Sequence, residues 1–433
     1  MLLHQFENEK LSQFSYIVAC KKSKEAVIID PERNIQRYKD YAQKEGLNIV
    51  GALDTHIHAD YLSGLQAFAE EDVHVYGSGE GGEDWQYEWF SSYDETTKLK
   101  HGDELETGNI VIKAEHTPGH TPEHLTYIVV DKARSREPFA ALTGDFLFVG
   151  DVGRPDLLET AAGHKGDMEP SAKRLYSTIK SFEKYKESLL ILPGHGSGSA
   201  CGKSLGDVKY TTLGYEQRNS PALQHDTEES FVKFILEDQP TPPRYFKHMK
   251  RRNKEGAGVK ELKDLEQAED LSDVVILDTR SKEEYQKGHL EGSIHAPFDT
   301  SFHQTAGSYL EPEQKIVLIA ENPLKVQQEL YLIGFEKVVG YTEPQTQKKT
   351  TNMNSVDDID ILLDVRSQKE HGENGLAESI NINYKGLPDN LDKLDKDKKI
   401  LVYCASGARS TKASSYLEHK GYTVKNLKNG LKT

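Results

Sequence analysis

Cysteine is scarce. Cys20, Cys201 and Cys404 are the only three in 433 residues; being odd in number and far apart, they exclude a disulfide framework and point to single-thiol roles in a reducing compartment. Long apolar runs are also missing. No stretch approaches the ~18 to 20 consecutive apolar residues that cross a bilayer, so no membrane helix is expected. The opening MLLHQFENEK has no basic segment followed by an apolar one, so no secretory leader is expected and the chain reads as cytoplasmic. An excess of positive charge is absent too: 54 Lys and Arg stand against 70 Asp and Glu, a net charge of -16. That balance disfavours nucleic acid, whose phosphates are bound by clustered cations. The one basic cluster, KHMKRRNK at 247–254, lies between QPTPPR and EGAG, and residues 246–258 read as a solvated basic linker.

The length is about three times the ~150 residues of a typical domain, so two to three domains are expected. With 36% hydrophobic residues, each can bury a core. Residues 1–245 alternate strand-like runs with helical patterns. FSYIVAC (14–20), AVIID (26–30) and NIVGALDTH (48–56) read as strands, and PERNIQRYKDYAQKEG (31–46) reads as a helix ended by Gly46. Further on come VIKAEHTPGH, LTYIVVD, FAALTGDFLF, a helix near 169–187, and LLILPGHG. Each histidine- or aspartate-bearing segment lies at the end of such a strand, where a sheet scaffold presents catalytic side chains.

The rest of the chain repeats itself. VVILDTRSKEEYQKGHLEGSIHAP (274–297) matches DILLDVRSQKEHGENGLAESININ (360–383), and QKIVLIAENPLKVQQELYLIGF (314–335) matches KKILVYCASGARSTKASSYLEHKGY (398–422). The economical reading is two α/β units of about 85 to 90 residues, over 259–345 and 355–433.

Four segments of the first domain carry candidate metal ligands: His56, His58 and Asp60 in THIHAD; His116 and His120 in HTPGHT; Asp145 in LTGDF; His195 in PGHG. The glycines and prolines beside His120, Asp145 and His195 mark tight loops that hold side chains in place. The series THxHAD, HTPGHT, TGD, PGHG resembles the metallo-β-lactamase fold superfamily over roughly residues 1–240, which implies an αββα sandwich with a metal at one edge of its sheets. Hydrolytic members hold two zinc ions, the second through the aspartate and following histidine of HxHxDH. Here Asp60 is followed by Tyr61, and a phenol with a pKa near 10 is a poor ligand for a divalent cation beside neutral imidazoles. Within the superfamily the persulfide dioxygenases use one Fe(II), and the resemblance assigns its ligands to His56, His120 and Asp145. His58, Asp60 and His195 then orient ligands or bind substrate, or are relics of a two-metal ancestor. Tyr61 is then expected to have a task of its own near bound oxygen. Arg154, in the GRPD segment 153–156, grips a substrate carboxylate or phosphate, or pairs structurally with Asp156. Cys201, six residues after His195, is either a small buried hydrophobe or a persulfide-carrying, catalytic thiol. Cys20 reads as structural.

CASGARS at 404–410 follows a strand and opens a helix. Cys404 therefore sits among backbone N–H groups at the positive end of a helix dipole, which favours thiolate and persulfide, and Arg409 adds charge. The pattern CxxGxR with upstream LLDVRS resembles the rhodanese sulfurtransferases: Cys404 is the sulfur-accepting nucleophile, Ala405, Ser406, Gly407 and Ala408 form its loop, and Asp364 with Arg366 braces the fold. In the earlier copy the loop reads AENPLK. Ala320 replaces the cysteine, Pro323 the glycine and Lys325 the arginine, so that copy is expected to be inactive.

The whole chain, α/β and multidomain, thus resembles persulfide dioxygenase and sulfurtransferase fusions. The resemblance implies Fe(II), one per chain, O2, and a thiol persulfide of glutathione, coenzyme A, bacillithiol or cysteine type, oxidised to sulfite. Cys404 persulfide and sulfite would then give thiosulfate, in sulfide detoxification. A homo-oligomer is expected. Two rivals are a glyoxalase-II-like thioester hydrolase, which wants two metals, and a persulfide carrier that consumes no oxygen.

Overall fold

The computed structural model describes all residues except 164, 345–346, 351, 354–357, 428 and 432–433. The expected domain boundaries at 345 and 355 lie outside the described residues. By contacts the chain divides into two units, Met1–Gln239 with Phe246–Lys260, and Pro240–Tyr245 with Glu261–Thr433.

The first unit is built on two six-stranded sheets. One runs in chain order through β1 (Leu2–Asn8), β2 (Gln13–Ala19), β3 (Glu25–Ile29), β4 (Asn48–Leu53), β5 (His74–Ser78) and β6 (Thr96–Leu99). The other comprises β7 (Glu104–Thr107), β8 (Ile110–His116), β9 (Leu125–Asp131), β10 (Ala140–Gly144), β11 (Leu190–Pro193) and β12 (Thr211–Thr212), again in sequential order. Side chains alternate faces along a strand. Val18, Val27, Ile29 and Leu53 of the first sheet cluster with Ile112, Ala114, Tyr127 and Leu142 of the second. The intervening Ile17, Ala26, Ile28 and Ala52 cluster instead with Tyr38 and Ala42 of the helix Gln36–Glu45. On the far side Ile128, Ala141 and Ile191 meet Ala172 and Leu175 of the helix Met168–Ser181. Both faces of each sheet are therefore covered, which is why β2 is buried along its full length, and the order is αββα. The helix Gln36–Glu45 starts later than its pattern suggested and ends as expected at Gly46, which takes the left-handed conformation at φ 64°.

Residues 246–258, expected as a linker, fold differently. Phe246–Glu255 is a helix that belongs to the first unit. Phe246, Met249 and Asn253 are buried on one face at helical spacing, while Lys250 and Lys254 pair with Asp84 at 2.5 and 2.9 Å. Lys250 also lies 3.9 Å from the centre of the Trp85 ring. The run of basic residues masked a three-position contact face.

The second unit holds two parallel sheets. The first has the order β14 (Ile294–His295), β13 (Val275–Asp278), β15 (Ile316–Ile319), β16 (Val338–Tyr341). The second has β17 (Asn352–Met353), β21 (Thr423–Leu427), β20 (Lys399–Tyr403), β18 (Ile361–Asp364), β19 (Ile380–Asn381). The matching segments of the sequence repeat occupy matching strands, β13 with β18 and β15 with β20. The fold class is α/β and multidomain, an αββα sandwich followed by two parallel α/β domains. Among the described residues no helix is long and apolar enough to cross a membrane.

Candidate metal centre and sulfur-transfer loop

The loops after β4, β8, β10 and β11 bring distant residues together. One ligand atom from each of His56, His120 and Asp145 lies within 4.8 Å of the others, and all three residues are buried. His56 Nε2 is 3.9 Å and His120 Nε2 3.5 Å from Asp145 Oδ2, and that oxygen is buried without a hydrogen-bond partner. The hydrogen bonds behind the imidazoles decide which nitrogen carries the proton. His120 Nδ1 faces the Arg154 carbonyl at 3.1 Å; a carbonyl only accepts, so Nδ1 donates and Nε2 keeps its lone pair. Thr55 Oγ1 donates to Asp30 Oδ2 at 3.0 Å and so accepts from His56 Nδ1, also at 3.0 Å. Two imidazole lone pairs and an orphaned carboxylate oxygen thus converge with no donor between them. This arrangement fits a cation and little else.

The protonation states agree. Burial, followed by neighbouring His58, pushes the pKa of His56 well below the usual imidazole value, and burial lowers that of His120. Burial alone would raise the Asp145 carboxyl, but His195, then His56 and His120, outweigh it and hold it well below the usual range. Neutral imidazoles with an ionised carboxylate are the ligand-ready forms.

His195 bridges two carboxylates, with Nδ1 to Asp145 Oδ1 and Nε2 to Asp60 Oδ2 both at 2.7 Å. Burial works against its charge, yet the two carboxylates raise its pKa well above the ordinary value. Cys201 joins Asp60 and His195 in a second buried cluster. Burial, and then the charges of Asp145 and Asp60, push its thiol well above the usual pKa. The thiol is enclosed and its ionisation disfavoured, which suits the buried-hydrophobe alternative.

Tyr61 has partners of its own. It is fully buried, and its hydroxyl donates to the Asp30 carbonyl at 3.2 Å while accepting from Gln13 Nε2 at 3.3 Å and meeting His58 Nε2 at 3.0 Å. His58 Nε2 also lies 3.3 Å from Asp30 Oδ1; burial disfavours its charge, but Asp30 outweighs burial and pushes its pKa up to about 9. The hydroxyl bonds tie Tyr61 to the strand end at Asp30 and to His58. Arg154, only 1% exposed, is bidentate on Asp156 at 2.8 and 2.6 Å and donates to the Ala200 carbonyl. The substrate-gripping alternative falls away, and Arg154 reaches the site through its own carbonyl on His120. His116 is not part of the cluster; its Nε2 donates to the Pro122 carbonyl at 2.8 Å.

Three further residues, Thr55, Asp30 and His124, support the ligands. Asp30 accepts from the Thr55 backbone and hydroxyl. His124 Nε2 accepts from the Asp145 amide at 3.1 Å, and its ring stacks on His56 with centroids 5.0 Å apart. Their signals were adjacency: Thr55 precedes His56, Asp30 closes AVIID, and His124 is four residues after His120.

In the second unit Cys404 follows β20. Its Sγ accepts from the amides of Gly407 at 3.1 Å and Ser410 at 3.4 Å. Gly407 turns the loop at φ 86°, where a side chain would be strained, and Ala408 begins the helix Ala408–His419. Ala405 and Ser406 complete the turn. Arg409 is bidentate on Glu370, with both bonds at 2.7 Å, so its charge is partly offset. Arg366 braces Asp364 at 2.9 and 2.7 Å, and Arg280 does the same for Asp278 in the first copy. At the corresponding first-copy loop, Asn322 caps the helix Pro323–Leu332 by accepting from the Lys325 amide; no thiol stands there.

Comparisons with known proteins follow this division. Residues 9–195 match the metallo-beta-lactamase superfamily model, and residues 259–342 and 346–433 each match the rhodanese-like domain. A metallo-beta-lactamase from Staphylococcus aureus subsp. aureus COL, solved as a crystal structure, is 40% identical with a TM-score of 0.76, covering 79% of this chain and 99% of that one. The mitochondrial persulfide dioxygenase ETHE1 of Bos taurus is 29% identical over 200 residues, 45% of this chain and 65% of its own length. A hydroxyacylglutathione hydrolase of Dictyostelium discoideum is 30% identical over 185 residues, 42% of this chain and 61% of its own. The chain thus spans somewhat under two thirds of these two curated relatives. It belongs to the metallo-beta-lactamase superfamily, carrying two rhodanese-like domains behind its metallo-beta-lactamase domain.

Proposed function

We propose that the metallo-beta-lactamase domain is an Fe(II) persulfide dioxygenase with one iron per chain, and that the last rhodanese-like domain transfers sulfur to its product. Together they would turn low-molecular-weight thiol persulfides into thiosulfate, detoxifying sulfide in a reducing cytoplasm. The observation that carries this reading is the convergence of the His56 and His120 Nε2 lone pairs on the orphaned Asp145 Oδ2. Two imidazoles and one carboxylate suit non-haem iron and leave positions open on the ion. Iron held there supplies the redox chemistry by which RSSH, O2 and H2O become RSH, sulfite and two protons.

The chain contributes position and charge. Thr55 and the Arg154 carbonyl fix the two imidazoles. His195, protonated between Asp60 and Asp145, offsets their charge so that an anionic persulfide can approach. At the other site the Cys404 thiolate attacks the outer sulfur of RSSH, forming Cys404–SSH as RS⁻ leaves. Sulfite then attacks that outer sulfur, forming thiosulfate and returning the Cys404 thiolate. The amides of Gly407 and Ser410 stabilise the negative sulfur. The carrier thiol is of glutathione, coenzyme A, bacillithiol or cysteine type.

The similarity to a hydroxyacylglutathione hydrolase favours a second reading, thioester hydrolysis. Tyr61 weighs against it, because it replaces a ligand of the second metal and its hydroxyl is already engaged by Asp30, Gln13 and His58. The test is oxygen uptake by full-length protein loaded anaerobically with Fe(II), on adding a thiol persulfide. Uptake that disappears in His120→Ala is expected; two bound zinc ions with hydrolysis of a glutathione thioester and no uptake would favour the hydrolase.

A further inference from the structure

We propose that Asn253 is a positioning residue of the metal centre, holding from a late helix the loop that carries His56, His58 and Asp60. The inference rests on the presence of that centre, not on which metal fills it. Asn253 lies on the helix Phe246–Glu255, beyond the part of the chain that the superfamily model covers, and is 5% exposed. Its amide makes three bonds to one short stretch of backbone. Nδ2 donates to the carbonyls of His58 and Tyr61, each at 2.9 Å, and Oδ1 accepts from the Ser63 amide at 2.9 Å. The partners fix the orientation of the amide, since two carbonyls require the nitrogen and an N–H requires the oxygen.

Residues 54–64 contain no strand and no helix, so the carbonyls of His58 and Tyr61 have no ladder to join. Buried backbone groups need partners, and one side chain supplies them for both. His58 and Tyr61 flank Asp60, and His56 is two residues earlier. Freeing the two carbonyls therefore loosens the segment from two residues beyond the ligand His56 onward. Metal sites demand ligand placement to within roughly 0.5 Å.

The helix is in turn seated independently of the loop. Its backbone takes the Trp89 indole N–H on the Asn253 carbonyl at 3.1 Å, and Lys254 pairs with Asp84 and Glu88 at its outer edge. This separates two variants on one helix. Asn253→Asp keeps the acceptor for Ser63 and the size of the side chain, but turns a donor into an oxygen facing two carbonyls. Lys254→Ala loosens the outer edge and leaves the loop bonds alone.

The experiment uses the full chain and measures metal affinity by competition with a chelator, for Fe(II) under anaerobic conditions and for Co(II), together with the visible spectrum of the Co(II) form. Asn253→Asp and Asn253→Ala are expected to weaken both metals roughly tenfold or more, as changes to outer-shell partners do, and to alter the Co(II) spectrum. Lys254→Ala is expected to stay within about twofold of wild type, below that range. Unchanged affinity in both Asn253 variants overturns the proposal, as does an equal loss in Lys254→Ala, which would make helix seating the only cause. A wild type that binds neither metal overturns this and the dioxygenase reading together. One that binds iron but takes up no oxygen overturns the dioxygenase reading alone, and the affinities still decide the role of Asn253.

Discussion

Asp145 illustrates how much one residue holds. One oxygen accepts from His195 at 2.7 Å while the other faces His56 and His120 without a partner, so a single carboxylate both orders the site and presents a ligand. Cys404 is the comparable residue of the second unit, and its contribution is separable. Cys404→Ser should leave persulfide-dependent oxygen uptake near the wild-type rate while thiosulfate gives way to sulfite, read by separating the two anions in the product; thiosulfate formed at the wild-type yield would break the proposed coupling. Both residues were legible in the sequence because glycine-bearing motifs, TGD and CxxGxR, surround them. Cys201 and Arg154 were not, because whether a thiol is enclosed among carboxylates, or a guanidinium turned inward, depends on chain segments far from either.

At the scale of elements, the strands declared themselves by runs of apolar residues, whereas the αββα order was an implication of the superfamily resemblance that the covered faces of both sheets then bore out. The helix Phe246–Glu255 has a weak signature in the sequence because only Phe246, Met249 and Asn253 face inward among many charges. Its seating carries a pH dependence. Hydrogen bonds from Lys250 and Lys254 hold the Asp84 carboxyl at about 2, below its ordinary 3.8. A lowered carboxylate pKa means the pairing contributes fully above the ordinary value and is lost as pH falls toward the lowered one. The stability advantage of wild type over Asp84→Asn should therefore hold at pH 5 and shrink between pH 3.8 and about 2. It should stay under about 1 kcal/mol, because Asp84 is largely exposed to screening solvent. Denaturant unfolding followed by tryptophan emission reads it directly: both tryptophans of the chain, Trp85 and Trp89, touch this helix. An advantage that persists unchanged to pH 2 would contradict the pairing.

For the whole molecule, the candidate metal ligands lie in one unit and Cys404 in the other, each with its own hydrogen-bond support. Metal and thiol chemistry should therefore be removable one at a time. Stripping metal with a chelator is expected to abolish oxygen uptake completely while Cys404 still takes up one sulfur from a thiol persulfide, seen as a mass increase of the intact chain that Cys404→Ser lacks. Failure of the stripped protein to load sulfur would mean that the thiol depends on the metal unit. The first copy fits the same division: Ala320 stands at the place of Cys404, which is the one cysteine of the second unit.

By itself the sequence determined which chemical groups exist and where along the chain they recur: the histidine and aspartate loops, the doubled α/β unit, the single live cysteine loop, and Tyr61 in place of a ligand. The groups and their recurrence follow from local periodicity and residue identity, which neighbours in sequence are enough to define, while the meaning of Tyr61 and of the cysteine loop is what the family resemblances imply. The tertiary structure alone decided the tautomers of His56 and His120, the enclosure of Cys201 beside Asp60 and His195, the partners of Tyr61 and the contact of Asn253 with the metal loop. Protonation is set by burial and by charges brought close in space, and a hydrogen bond is satisfied by whichever backbone arrives beside it. Neither quantity has a signature in the order of residues until the chain has folded.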